Sequence, residues 1–320
     1  MQQPSTVPST VPVTGRVTVP VTVRRPFAFE QSLTFLRRFP PCRHDVVIGD
    51  DRVTAALAIG GRAVPFTVRG AGARIAVEVD PGLPAATIAL VLERARQWLG
   101  ADDDLTSFYA AAAGDHPRFA ALVAAQGGLH HVRFLTLAEI AVHAVLMQRT
   151  PMAQAARAKQ RFAARFGRPV TVGGIVLHAF PALEELVALE EADYREAIRL
   201  PRKAAMLPPV VRGVAAIGEA FLRGAPYAAA RDALLAVPGI GPFSAAAILL
   251  RGLGRMDEVP LEGKNFAEPA REIYGAAFDP AAIRARYGAD LGYWSFYLKT
   301  GVPQAREAIT PPRGARARRG

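Results

Sequence analysis

Two patterns of hydrophobic and polar positions divide this chain. Between residues 27 and 100, short runs rich in β-branched residues alternate with glycine-containing turns, a pattern typical of antiparallel strands. Apolar residues at helical spacing before and after these runs predict two helices that pack on the sheet. The strands are predicted at 45–48, 52–59, 63–68 and 74–79, and the two helices at 29–38 and 84–98.

Beyond about Pro117, apolar residues recur three and four positions apart, which predicts helices throughout the rest of the chain. These helices are predicted at 117–125, 136–148, 151–166, 181–188, 192–197, 202–221, 226–235, 243–253, 266–274, 279–287 and 289–299. The fold class is therefore α+β, with an antiparallel sheet domain over 25–115 followed by an all-helical core over 116–303.

Both chain ends are predicted to be tails. Residues 1–24 alternate valine with threonine and proline, and the prolines interrupt them too often for a packed strand. Residues 304–320 form a basic tail, and its four arginines between Arg313 and Arg319 could touch phosphates without sequence preference. The N-terminal tail lacks the charged start and continuous apolar core of a signal peptide, so we expect a cytoplasmic, nucleoid-associated protein.

Composition narrows the class of partner. The 320 residues are 51% hydrophobic, enough for a substantial core, and carry a formal net charge of +11. A basic balance favours an anionic partner, and nucleic acid ranks above membrane because the chain shows neither an apolar span nor a basic amphipathic segment. We expect a monomer.

The segment 234–266 carries the most specific motif. An apolar helix end breaks at Pro238-Gly239-Ile240-Gly241, and a helix of small residues resumes near Ser244. Two glycines around one aliphatic residue suit a tight turn with outward-pointing amides, because glycine tolerates positive φ and lets another backbone approach. Such a turn at a helix start is a site for a DNA phosphate, the helix-hairpin-helix pattern.

The motif continues in a way that resembles the helix-hairpin-helix DNA glycosylases, specifically their DNA-3-methyladenine glycosylase II (AlkA-like) branch. The matching run comprises GIGPFSA at 239–245, LRGLG at 250–254 and Asp257. Stretches at 137–167, 180–181 and 200–204 and the late GYWSFYLKTG follow in family order, and residues 26–123 fit the family's β-domain more loosely. The resemblance implies a fold of two helical lobes behind a β-domain, acting on duplex DNA with damaged bases.

The resemblance also implies a reaction. An aromatic residue two positions after the second glycine marks monofunctional enzymes, whereas a lysine there supports strand cleavage. This chain has Phe243, which cannot form a Schiff base. The implied activity is hydrolysis of the N-glycosidic bond of alkylated purines such as 3-methyladenine and 7-methylguanine, in base excision repair.

Further site residues follow from the family's motifs. Gln148-Arg149 matches the turn whose side chain fills the gap left by a flipped base, and Arg149 would stack over a base and neutralise phosphate charge. Phe35 and Phe243 match aromatic positions of the base pocket. Hairpin contacts to DNA are implied for Gly239, Ile240, Gly241 and Ala245. The carbonyls of Leu235, Val237 and Ile240 match positions that hold Na⁺ or K⁺.

Cysteine and histidine usage argues against other chemistry. Cys42 is the single cysteine, so the chain cannot supply the four-cysteine iron–sulfur cluster of the endonuclease III relatives, and no cofactor is required. A buried Cys42 is more plausible than a nucleophile, since no activating partner is evident. His130, His131 and His143 show no metal-ligand spacing, and we expect them at the surface or in capping positions.

One departure from the family pattern is central. Counted without gaps from Gly241, the family's catalytic Asp falls on Gly263, which cannot stabilise the oxocarbenium-like sugar of the transition state. Glu262 could reach the sugar after a one-residue shift, or the protein could recognise bases without efficient excision. Asp257 or Glu258 could serve as an alternative acid, although Asp257 better suits a capping role.

Overall fold

Five antiparallel strands form the larger sheet, in the order β2-β6-β5-β4-β3. The strands are β2 (Val17–Val21), β3 (Val47–Ile48), β4 (Arg52–Ile59), β5 (Arg62–Ala71) and β6 (Arg74–Val79). Alternate residues Val53, Phe66, Val68 and Val77 are fully buried, so one face of the sheet lies on the core. This computed structural model describes residues 9–10 and 15–309. The last helix continues to Ile309, so the tail predicted over 304–320 is wrong at residues 304–309, and its arginines at 313–319 lie outside the described residues.

The prediction of a tail over residues 1–24 is wrong at β2. The strand pairs with β6 from Val17–Val79 to Val21–Ile75, and Val21 is buried. Pro20 is tolerated because β2 is an edge strand, whose outward side needs no amide donor. The valine alternation was therefore a strand signal, and its prolines mark an edge.

A second, small sheet corrects the prediction of helices throughout the later chain. Strands β7 (Arg168–Val172) and β8 (Ile175–Ala179) form a hairpin, and β1 (Ser9–Thr10) pairs with β7 in parallel. The turn residues Gly173 and Gly174 have φ of 56° and 80°, as a two-residue hairpin turn requires. This Gly-Gly between valine-rich runs was the available sequence signal.

The chain forms two compact units, residues 1–103 with 128–255 and residues 104–127 with 256–320. The second unit is thus built from two separate segments, and this division differs from the predicted boundary after residue 115. Besides both sheets, the first unit holds α1 (Phe29–Arg38), α2 (Ala85–Leu99), α5 (Leu137–Met147), α6 (Met152–Phe166), α7 (Leu183–Val187), α8 (Glu191–Ile198), α9 (Pro201–Ile217), α10 (Glu219–Gly224), α11 (Tyr227–Leu235) and α12 (Pro242–Ala247), which runs into a π-helical turn, Ile248–Gly252.

The second unit is helical. It contains α3 (Thr106–Ala113), which was not predicted, with α4 (Pro117–Ala125), α13 (Lys264–Tyr274), α14 (Pro280–Tyr287) and α15 (Leu291–Ile309). Its core is aromatic: Trp294 donates from Nε1 to the Tyr274 hydroxyl at 2.9 Å, and Tyr274 donates to Asp115 at 2.7 Å. The sheet domain and these helices give the predicted α+β class. Among the helices described, none combines the length and apolar character needed to cross a membrane.

Candidate nucleic-acid interface

The Pro238–Gly241 turn links α11 to α12 within the first unit. Gly239 adopts φ of 96°, which a residue with a side chain rarely adopts. A Cβ placed there would lie 3.0 Å from Val210 Cγ2, so the turn rests directly on α9. Ile240 is buried and its amide donates to the Val237 carbonyl at 3.0 Å, closing the turn.

Gly241 faces the opposite way. It has φ of −97°, and a Cβ there would meet no heavy atom within 4 Å. Within the described chain, neither the Gly239 nor the Gly241 amide donates to a protein acceptor. The turn therefore presents donors on an open side, beside a helix start at which the Phe243 and Ser244 amides have no acceptor within the described chain.

Gln148, at the end of α5, reaches the turn with its side chain. Its Nε2 donates to the Gly239 carbonyl and to Ser244 Oγ, both at 2.9 Å. Both amide protons of Gln148 are therefore used within the protein. Ser244, for which sequence reasoning gave no role, is the buried partner.

Arg149 follows at an exposed position with φ of 49°. Such a conformation costs a non-glycine residue about 1–2 kcal/mol. The turn is secured by Lys203 Nζ, which donates to the Gln148 carbonyl at 2.6 Å, and by Thr150 Oγ1, which donates to the same carbonyl at 3.0 Å. Burial, with the neighbouring Arg149 charge, lowers the pKa of Lys203. Lys203 lies in the stretch 200–204, and its sequence position does not reveal this contact.

The other predicted hairpin residues divide into exposed and buried ones. Phe243, which was predicted to line the base pocket, is 42% exposed beside the turn. Ala245 is fully buried and its amide donates to the Gly241 carbonyl, so it has no free donor for DNA. Of the carbonyls expected to hold a cation, that of Val237 already accepts the Ile240 amide.

Phe35 lies in the interior of the first unit. It stacks on Phe39 with ring centroids 5.1 Å apart, and the Arg251 guanidinium lies 5.3 Å from its centroid. Burial lowers the pKa of Arg251 to about 10. Because Phe35 is only 8% exposed, its described surroundings are those of a core residue.

Glu262 and Gly263 lie in the second unit. Arg284 donates from Nη2 to both Glu262 oxygens, at 2.8 and 3.0 Å, and this bonding lowers the pKa of the carboxyl. The Glu262 side chain is 66% exposed. Gly263 is the N-cap of α13 and supplies no side chain to cap it. Asp257 and Glu258 are exposed.

Buried charges elsewhere in the first unit were missed by sequence reasoning. The Lys159 ammonium is enclosed with Asp45 and Glu139; burial opposes its charge, but these carboxylates outweigh that effect and raise its pKa. For the nearby Cys42 thiol, burial itself raises the pKa, which fits the expectation of a buried cysteine that is not a nucleophile.

The expected surface positions of the histidines are wrong, since His130, His131 and His143 are all buried. The His130 ring nitrogens lie 2.6 Å from the Gly100 carbonyl and 2.8 Å from that of Pro26, so backbone oxygens replace the water it would have at the surface.

Solved structures show which fold this is. A 3-methyladenine DNA glycosylase from Archaeoglobus fulgidus superposes with a TM-score of 0.74 at 19% identity, over 89% of this chain and 98% of that one. An 8-oxoguanine glycosylase/lyase from Clostridium acetobutylicum, solved with double-stranded DNA containing cytosine opposite 8-oxoguanine, gives a TM-score of 0.66 at 15% identity, over 89% and 93%. The fold is that of the helix-hairpin-helix DNA glycosylases.

Sequence relatives refine this placement. A protein described as a probable bifunctional transcriptional activator/DNA repair enzyme AlkA, from two strains of Mycobacterium tuberculosis, is 30% identical over 255 residues. The match covers 78% of this chain but spans only half the length of those relatives. No family model matches the chain. The chain has the fold of the helix-hairpin-helix DNA glycosylases, and its sequence is similar to their AlkA-like branch.

Proposed function

We propose that this chain is a monofunctional DNA glycosylase that releases alkylated purines from duplex DNA by hydrolysing the N-glycosidic bond. The observation that carries the proposal is the Pro238–Gly241 turn, with its unpaired amides and the open side at Gly241. A phosphate oxygen fits such donors at a helix start. The net charge of +11 would add sequence-independent attraction.

Gly241→Ala tests the phosphate site without disturbing the fold. Its φ is acceptable to alanine and the new methyl group meets no protein atom, so the free energy of unfolding should stay within about 0.5 kcal/mol. The methyl group would occupy the approach to the amides, and duplex affinity should fall about fivefold. Gly224→Ala, another glycine with open space around its Cβ position, is the matched control. Equal affinities of both variants and the natural chain would reject the site.

The chemistry needs a negative charge near the sugar. Phe243 excludes imine formation at its position, which leaves water as the nucleophile. Glu262 is our candidate carboxylate, since the Arg284 pairing favours the ionised form that stabilises an oxocarbenium ion. Its action on the sugar would require release of that pairing. Alkylated purines are cationic and leave readily, which lowers the demand on the protein.

Release of free base from methylated duplex DNA decides the proposal. We would compare the natural chain with Glu262→Gln and Gly263→Asp. If the natural chain releases free base and Glu262→Gln does not, the result supports Glu262 as the carboxylate that stabilises the sugar. Arg284→Gln should then raise turnover by freeing Glu262, whereas Arg286→Gln, which removes an arginine that donates to Gly114, should not.

A second candidate is recognition of damaged bases without efficient excision. It is favoured by Gly263 at the position where the family has its Asp, and by the engagement of both Glu262 oxygens with Arg284. This candidate predicts tight binding of damaged duplex without base release above the spontaneous rate. Gly263→Asp should then create turnover if the rest of the pocket is intact.

Three further features belong to the proposal. A Na⁺ or K⁺ ion would bridge hairpin carbonyls to phosphate, using Leu235 and Ile240, with Val237 sharing its oxygen with the Ile240 amide. Replacing K⁺ by tetramethylammonium, which is too large for a carbonyl site, should then weaken duplex binding at constant ionic strength. The protein is proposed to act as a monomer at the nucleoid.

A further inference from the structure

Gln148 lies between the hairpin, which the proposed function places on a DNA phosphate, and the Arg149 turn, which the family resemblance places at the flipped base. On one side, its side-chain amide holds the hairpin through the Gly239 carbonyl and Ser244 Oγ. Ser244 is 1% exposed and its hydroxyl also lies 3.4 Å from the Ala144 carbonyl of α5. These bonds fix the hairpin against the end of α5.

On the other side, the main chain of Gln148 begins the Arg149 turn. Its carbonyl accepts bonds from Lys203 and Thr150, and the Thr150 amide donates to the Met147 carbonyl at 3.2 Å. Between these bonds Arg149 keeps its positive φ. Backbone strain of this kind persists only where the surroundings over-determine it, and it is concentrated at functional sites.

We infer that Gln148 is a positioning residue that ties the Arg149 turn to the phosphate-binding hairpin. This inference rests on the proposed function. Once the hairpin has bound a phosphate, Arg149 is already held at one place relative to it, so entry into the base stack needs no separate ordering of the turn. Preorganisation of this kind improves affinity by removing an ordering cost.

The size of the effect follows from the bonds. Without the two Gln148 side-chain hydrogen bonds, the turn would be partly disordered in the free protein. Two hydrogen bonds of ordinary strength correspond to about a tenfold change in the equilibrium constant for binding. The change should appear in discrimination between damaged and intact duplex, because insertion occurs only at a weakened base pair. Non-specific affinity should be kept, since the hairpin amides and the Arg149 charge remain.

The test uses a duplex with a tetrahydrofuran abasic-site analogue flanked by 2-aminopurine, and the same duplex without the analogue. The full chain is compared with Gln148→Met, which keeps side-chain length but removes the donors. Gln126→Met is the matched control, because Gln126 is also buried and its amide bonds to the Leu122 and Tyr297 carbonyls of the second unit. Affinity reports discrimination, and 2-aminopurine fluorescence reports unstacking by the inserted side chain.

We expect Gln148→Met to lose about tenfold in preference for the abasic duplex, together with the fluorescence increase, while binding intact duplex as before. Ser244→Ala should lose part of the preference for the abasic duplex. In the double variant Gln148→Met/Ser244→Ala, the Ser244 substitution should reduce that preference by less than it does in the natural chain. This second variant keeps the test decisive if Gln148→Met folds poorly.

Two results would overturn the inference. One is full discrimination by Gln148→Met, and the other is an equal loss of affinity for both duplexes, which would indicate a purely structural role. If the natural chain itself shows no preference for the abasic duplex, the proposed function fails instead. The two failures are thus distinguishable in one set of measurements.

Discussion

Arg149 and Arg199 are the two non-glycine residues with positive φ in the described chain, at 49° and 55°. Both are exposed arginines that follow helices, but only Arg149 borders the hairpin contact through Gln148. They therefore offer a comparison in which charge and backbone strain are matched and location differs. If strain at Arg149 is kept for function, the two should respond alike in stability and differently in DNA binding.

Replacing either arginine by glycine should raise the free energy of unfolding by up to about 1 kcal/mol, because glycine adopts positive φ without steric cost. Arg149→Gly should also reduce preference for damaged duplex several-fold, whereas Arg199→Gly should leave it unchanged. Denaturant unfolding and duplex titrations check both parts. Loss of preference in both variants would point to net charge as the cause.

A buried histidine gives a pH prediction. His143 is fully buried without a hydrogen-bond partner at either ring nitrogen, and burial, with the Lys159 and Arg251 charges, lowers its pKa well below 6.5. Below about pH 6.5 the unfolded chain therefore binds a proton that the folded chain does not, and stability decreases as pH falls.

His143→Leu should make this dependence shallower between pH 6.5 and 5, by up to about 1.4 kcal/mol per pH unit. Some dependence should remain, since burial also lowers the pKa of His131. Chemical denaturation at several pH values measures the slopes. Identical slopes for the variant and the natural chain would mean that His143 is protonated in the folded state.

Residue patterns predicted the hairpin well because its constraint is local. Gly239 needs positive φ within its own turn, and that requirement is written in Pro-Gly-Ile-Gly. The role of Gln148 could not be read in this way, since its partners lie more than 90 positions away and no local rule pairs them. Buried charges such as Lys159 were hidden for the same reason.

At the scale of elements, the first turn of α13 lacks a side-chain cap. Gly263 has φ of −66° and ψ of 140°, which suit an Asp N-cap, and a Cβ there would lie 3.3 Å from the Pro260 carbonyl. Gly263→Asp should therefore raise the free energy of unfolding by a few tenths of a kcal/mol, about the difference between Asp and Gly at an N-cap. Thermal unfolding checks this, and a clear decrease would show that the Pro260 contact dominates.

Strand prediction succeeded where glycine turns separated the runs and failed where prolines or neighbouring helices obscured them. Strand β4 and helices α1 and α4 have the predicted bounds. The edge strand β2 was missed because its prolines were weighed as interruptions. The β7–β8 hairpin was missed because residues 167–180, between two predicted helices, were assigned to neither a helix nor a strand.

At the scale of the whole molecule, the α+β class and the glycosylase fold could be predicted from the sequence, whereas the division into units could not. The sequence pattern predicts that residues 104–127 simply connect the two predicted domains. In the structure they form one unit with the residues after 255. A contiguous pattern gives no indication that a segment packs against one more than 120 positions later. The boundary predicted after residue 115 thus falls inside a segment that this division keeps whole.

The discontinuous second unit has a consequence for biosynthesis. On the ribosome, α4 emerges early, but Phe119 and Leu122 find their partners on α13 and α15 only after all of 128–255 has been made. Because synthesis proceeds at about 5–20 residues per second, these apolar side chains remain without their partners on α13 and α15 for several seconds or longer. During that interval the nascent chain depends on chaperones or transient contacts, and a stalled or truncated product ending near residue 255 would expose the same surface permanently.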